Sequence, residues 1–153
     1  MSSNENVDIL LIEDNPADRC LIVEVLRSCN LTKVKCLSTG TAAMDYLYNR
    51  NEYKNCKKPS LILLDFQLPM KSGLEVLEEI KTDNKLKCIP VIILTGAVDD
   101  YDKNESYECR ANAYITKSLD FDQFRKDMCI FVNFWFNIVS LPKIDEDKPR
   151  MIK

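Results

Sequence analysis

The chain has 153 residues, 46% of them hydrophobic, which is enough for one domain with a sizeable core. Its net charge of −3, with acids and bases interspersed, offers neither the basic footprint of a nucleic-acid binder nor a polybasic patch for a membrane surface. The short polar N-terminus does not read as a signal peptide and no apolar run approaches the roughly 20 residues of a bilayer span; seven scattered cysteines without a C-x-x-C pair read as small hydrophobes in a reducing cytoplasm.

Apolar runs alternate with helical patterns from end to end. A strand is predicted over 7–13, closing on Glu13-Asp14, and a helix over 16–29, where Asn15 caps and Pro16 takes the first helical position. A strand over 33–37 and a helix over 40–49 follow, then a hydrophilic stretch over 49–58 that is longer than the usual two to six residues of such a connection. The run Leu61-Ile62-Leu63-Leu64 marks a strand over 60–65 ending in Asp65, and Gly73 opens a helix over 73–82. Pro90 stands first in a strand over 90–95 that ends in Thr95; a helix over 100–110, a strand over 112–116 with Lys117 just beyond it, and a helix over 120–139 complete the pattern. Five βα units predict an α/β fold with a doubly wound, five-stranded parallel sheet over residues 1–144. Residues 145–153 read as a solvated, disordered tail.

In such a sheet the C-terminal strand ends share one rim, and here they present Glu13, Asp14, Asp65, Thr95 and Lys117. Carboxylates brought together repel one another, and a hard divalent cation bound through oxygen relieves them; Glu13, Asp14 and Asp65 make a site suited to Mg²⁺. An aspartate beside Mg²⁺ can act as a nucleophile toward phosphorus. Lys117 and the Thr95 hydroxyl would then face the transferring oxygens. With only three glycines there is no phosphate-cradling loop, and with no histidine the chain cannot itself be a phosphohistidine donor. Taken singly, Thr95 would be a β-branched strand residue, Lys117 a surface charge and Glu13-Asp14 a turn before the helix that Asn15 caps. The constellation gives Thr95 and Lys117 their roles.

That constellation resembles the receiver domains of response regulators over about residues 7–128: Ile12-Glu13-Asp14-Asn15, Leu64-Asp65-Phe66-Gln67-Leu68-Pro69 with Gly73 beyond, Thr95, Tyr114 and Lys117. The resemblance implies a (βα)5 flavodoxin-like switch, cytoplasmic, that accepts a phosphoryl group from a histidine kinase on Asp65. It implies Mg²⁺ held by Glu13, Asp14, Asp65 and the backbone carbonyl of Gln67, with Thr95 and Tyr114 as the switch pair, and output through protein partners. A haloacid-dehalogenase-type phosphatase uses similar groups, but it needs a second aspartate two residues after the nucleophile, where Gln67 cannot transfer a proton. A flavodoxin-like electron carrier is disfavoured because the acidic rim repels a flavin phosphate. One departure from the family pattern is Ser118 where a cis-proline usually follows the lysine; a cis bond there would cost about 3 kcal/mol.

The last helix is apolar on more than one side. Phe121, Phe124, Met128, Phe131, Trp135 and Val139 recur at helical steps toward the sheet, while Ile130, Phe134, Phe136 and Ile138 add apolar surface elsewhere. Its end, Phe134-Trp135-Phe136 onward, resembles that of single-domain receivers serving bacterial phytochrome-type histidine kinases. That resemblance implies a homodimer through the C-terminal helix, with Phe134, Trp135 and Phe136 as interface residues.

Overall fold

In the computed structural model, which describes residues 6–96 and 99–144, the alternating pattern becomes five βα units. In chain order these are β1 (Ile9–Ile12), α1 (Pro16–Ser28), β2 (Val34–Leu37), α2 (Gly40–Leu47), β3 (Leu61–Leu64), α3 (Gly73–Thr82), β4 (Val91–Thr95), α4 (Asp100–Glu108), β5 (Ala113–Thr116) and α5 (Phe121–Asn133). The strands form one parallel sheet in the order β2-β1-β3-β4-β5. β1, β3 and β4 are buried throughout, which is why they read as unbroken apolar runs; β2 and β5 lie at the edges and are only partly covered.

The two-residue period of the pleat divides the core in two. Ile9, Leu11, Leu61, Leu63, Ile92 and Leu94 pack with Ile22, Val25, Leu26, Phe124, Met128 and Phe131 of α1 and α5. Leu10, Ile12, Ile62, Leu64, Val91 and Ile93 pack on the other face with Met44, Leu47, Val76, Leu77 and Ile80 of α2 and α3. Each helix has a side-chain N-cap, in order Asn15, Thr39, Ser72, Asp99 and Asp120, accepting from backbone N–H groups of the first turn and contributing about 1 kcal/mol apiece.

The long connection after α2 is tied to itself rather than loose. Asn49, at φ 56°, donates its amide to the carbonyls of Tyr53 and Cys56 and accepts from the Lys58 ammonium. The Tyr46 hydroxyl donates to the Lys57 carbonyl at 3.0 Å, and the Tyr53 ring packs edge-on against Tyr46. The Lys117–Ser118 peptide, which the sequence left open between cis and trans, is trans. Two expectations change. The last helix is α-helical only to Asn133 and continues over Phe134–Ile138 as a wider π-helical turn. And Cys29 and Cys129, 100 residues apart, are joined by a disulfide that no sequence spacing suggested. The proposed tail, 145–153, lies outside the described residues, among which no helix is long and apolar enough to cross a membrane.

Candidate functional site

The strand order reverses between β1 and β3, so the loops leaving their C-terminal ends diverge and open a crevice. Hydrogen bonding runs one residue past both strands: Glu13 N–H donates to the Leu37 carbonyl and Asp65 N–H to the Ile12 carbonyl, each at 3.0 Å. Glu13 and Asp65 therefore stand side by side, one step beyond the registered pair Ile12 and Leu64. Both are nearly closed to water, 1% and 9% exposed, whereas Asp14 is exposed. Carboxylate oxygens of the three lie within 4.8 Å of one another.

Lys117 reaches this cluster from the end of β5. Its backbone N–H donates to the Thr95 carbonyl at 2.8 Å, extending the β4–β5 ladder. Its ammonium donates to Glu13 Oε1 at 2.6 Å and lies 3.4 Å from Asp18 Oδ2. Asp18 was not singled out in the sequence. The available signal was its position four residues after Asp14, one helical turn along α1. Arg19 adds a guanidinium bond to the Glu13 carbonyl at 3.0 Å. Lys117 thus balances Glu13 directly and Asp65 only through space.

The titration behaviour follows from that arrangement. Asp65 is pushed up to about 7 by burial, then by its hydrogen bond to Glu13 and that neighbour's charge; Lys117 and the Gln67 N–H, 3.3 Å from Asp65 Oδ1, oppose the rise. Burial also works against ionised Glu13, but the hydrogen bond from Asp65 and the Lys117 ammonium outweigh it and hold Glu13 below its ordinary range. Burial disfavours the charged form of Lys117 as well, and Glu13, Asp65 and Asp18 together override it and raise its affinity for the proton. The two buried carboxylates share one proton, held mainly on Asp65. A hard divalent cation fits this donor set: it would replace the proton, the three oxygens are close enough to share it, and exposed Asp14 leaves room for water ligands.

Two further features keep the crevice in shape. Gly73 begins α3 against the acceptor loop, donating to the Phe66 carbonyl at 3.0 Å, and a β-carbon there would lie 2.4 Å from the Asp65 carbonyl oxygen. Gly73→Ala is accordingly expected to destabilise the fold by about 3 kcal/mol and to displace the 65–67 loop, because the obstacle is backbone that cannot rotate away. Thermal melting checks this, and an unchanged midpoint would count against it. On the opposite face of the sheet from Asp65, Thr95 (2% exposed) and half-buried Tyr114 follow the same pleat alternation, on the side that carries α4. Burial raises the Tyr114 phenol, helped by Asp102 and Asp99, which places the ring near α4.

Comparison with known proteins agrees with this geometry. The response regulator receiver domain family matches residues 9–128, and the chain belongs to it. Response regulator Rcp1 from Synechocystis is 43% identical over 141 residues, covering 92% of this chain and 96% of that protein. The crystal structure of the Mn²⁺-bound form of Rcp1 superposes with a TM-score of 0.83 at 42% identity, covering 90% of this chain and 99% of that one. The phosphorylated cyanobacterial phytochrome response regulator RcpA gives 0.85 at 41% identity, covering 91% and 100%. The fold is that of a CheY-like receiver, the phospho-accepting module of two-component phosphorelays, and the phosphatase alternative is left without support.

Proposed function

We propose that Asp65 is the phosphoryl acceptor of this receiver, with Glu13, Asp14, Asp65 and the Gln67 carbonyl holding Mg²⁺, and with Thr95, Tyr114 and Lys117 completing the switch. The observation that carries this reading is the adjacency of the buried carboxylates of Glu13 and Asp65 to exposed Asp14, with one ammonium beside them. Bound Mg²⁺ would supply positive charge to the phosphoryl oxygens and displace the shared proton. An Asp65 oxygen attacks the phosphorus of a phosphohistidine; the new O–P bond forms as the P–N bond breaks, and the electron pair leaves on the imidazole. Lys117, held by Glu13 and Asp18, keeps a positive charge where the transferred group arrives. The protein works as a switch, with at most slow loss of its own phosphoryl group. Incubation with acetyl phosphate and Mg²⁺ should add one phosphoryl group, mapped by peptide mass spectrometry to Asp65; a modification mapped elsewhere would refute the assignment. Asp14→Ala should abolish most of the Mg²⁺-induced rise in melting temperature, which amounts to about 1.4 kcal/mol at a tenfold excess over Kd.

The likeness to RcpA supports a phytochrome-type sensor histidine kinase as the partner, and a cytoplasmic location is part of the same proposal. We also place a homodimer on the last helix, with a revised contact set. Trp135 packs partly against the α1–α5 core, in the helical step from Phe131 that the sequence expects, and Phe136 joins it past the start of the π-helical turn. Phe134 points outward instead, 48% exposed, in a stripe with Ile130 and Ile138 at four-residue spacing. Phe134→Ser should raise the dimer dissociation constant roughly 10- to 100-fold. Light scattering over a concentration series checks this, and a parent that stays monomeric throughout would remove the dimer.

A further inference from the structure

Cys29 terminates α1. Its N–H donates to the Leu26 carbonyl at 3.0 Å, Asn30 follows at φ 68°, and the Leu31 N–H returns to the same carbonyl at 3.0 Å. Cys129 lies within α5, next to Met128 and two residues before the buried pair Phe131 and Val132. Cys29 is thus fixed by the capping bonds that end α1 and Cys129 by the body of α5, with their Cα atoms 5.6 Å apart, the separation at which disulfides are commonest. No other pair of cysteines is linked among the described residues.

We propose that Cys29 and Cys129 form a reversible thiol–disulfide couple, a second covalent modification site that fastens α5 to α1 independently of the chemistry at Asp65. The apolar contacts of Ile22, Val25, Leu26, Phe124, Met128 and Phe131 already join these helices to the sheet, so the reduced fold does not depend on the bond. Both residues are half-buried rather than sealed, so a small disulfide can reach one of the sulfurs. The thiolate of one cysteine attacks glutathione disulfide, forming a mixed disulfide and releasing one glutathione thiolate. The partner thiolate then attacks the protein sulfur of that mixed disulfide and releases the second. Two protein thiols lose two electrons and two protons, and one glutathione disulfide becomes two glutathione thiols. α1 starts two residues after Asp14, behind its cap Asn15, and α5 four residues after Lys117, behind its cap Asp120. Between them opens a pocket of about 260 Å³ lined by Asp18, Leu21, Lys117, Leu119 and Phe124. The bond thus restrains the two helices that border the site, away from the site itself.

The test equilibrates the full-length protein with oxidised glutathione or with dithiothreitol, denatures it, blocks thiols with iodoacetamide and maps the peptides. The oxidised sample should yield a Cys29–Cys129 cross-linked peptide and melt on the order of 10 °C higher than the reduced one, since the bond closes a 100-residue loop. Hydrogen exchange in α5 should be slower in the oxidised sample, and Cys129→Ser should lose the glutathione-dependent shift. Recovery of both cysteines alkylated from the oxidised sample, or cross-linked to other cysteines, would overturn the proposal. So would unfolding of the wild type in dithiothreitol, which needs no variant to observe and would mark the bond as structural.

Discussion

Asp65→Asn is expected to abolish phosphoryl capture from acetyl phosphate while leaving a folded, more stable protein. The nucleophile is lost because a neutral carboxamide oxygen cannot form a stable bond to phosphorus, and neither remaining acid of the cluster can replace it. Glu13 is 1% exposed with its oxygens engaged by Lys117 and by the Asn15 N–H at 3.4 Å, so it faces inward rather than toward an incoming phosphorus. Asp14 is open to solvent and lacks the flanking ammonium. Above pH 7 stability should rise because the substitution removes one of two like charges in a closed space, and the amide can still hydrogen-bond to Glu13 and to the Gln67 N–H. Intact mass after acetyl phosphate treatment and thermal melting read the two effects separately. Phosphorylation of the variant at the parent's rate would remove Asp65 from its role, and a variant that melts lower than the parent at pH 8 without metal would remove the electrostatic account.

Legibility in the sequence followed burial. β1, β3 and β4 announced themselves because both faces are covered, so every position is apolar until the polar residue that ends the strand; that change of polarity also marked Glu13, Asp65 and Thr95. The edge strands β2 and β5, though only partly covered, were bounded as closely, each expected one residue before it begins. What stayed hidden depends on distances across the fold. That Lys117 sits on Glu13 and Asp18 rather than on Asp65 is set by how far an ammonium on a four-carbon stem reaches from β5 across to β1. The tie between Asn49 and Lys58 turns a hydrophilic stretch into an ordered loop through side-chain bonds that composition does not encode. Trp135 faces the core and Phe134 faces outward as the helical steps expect, whereas Phe136 turns inward past the π-helical turn, where a wider turn departs from the 3.6-residue wheel. Cys29 and Cys129 were invisible as a pair for the same reason: only the packing of α1 beside α5 brings them together.

The metal-free protein should lose stability as pH rises from about 5 to 8, and Asp65→Asn should flatten that slope. Asp65 has a folded value raised to about 7 against an ordinary value of 3.8, so across this range the folded state holds a proton that the unfolded chain has released. The associated stabilisation is complete below about pH 4 and is lost as pH climbs through 7. A shift of this size corresponds to on the order of 4 kcal/mol, and because Asp65 is only 9% exposed, solvent screening reduces it little. Glu13 works in the opposite sense: its lowered value stabilises above the ordinary glutamate range and is lost at acid pH, outside the window. Lys117, raised above 10.5, stabilises throughout the window and loses its effect only in strong alkali. Mg²⁺ competes with the shared proton for the same oxygens, so its stabilising effect should grow from pH 5 to 8 and offset the decline. Urea denaturation of parent and variant at several pH values, with and without Mg²⁺, measures all three trends. Parallel slopes for parent and Asp65→Asn would show that the proton resides on some group other than the Glu13–Asp65 pair.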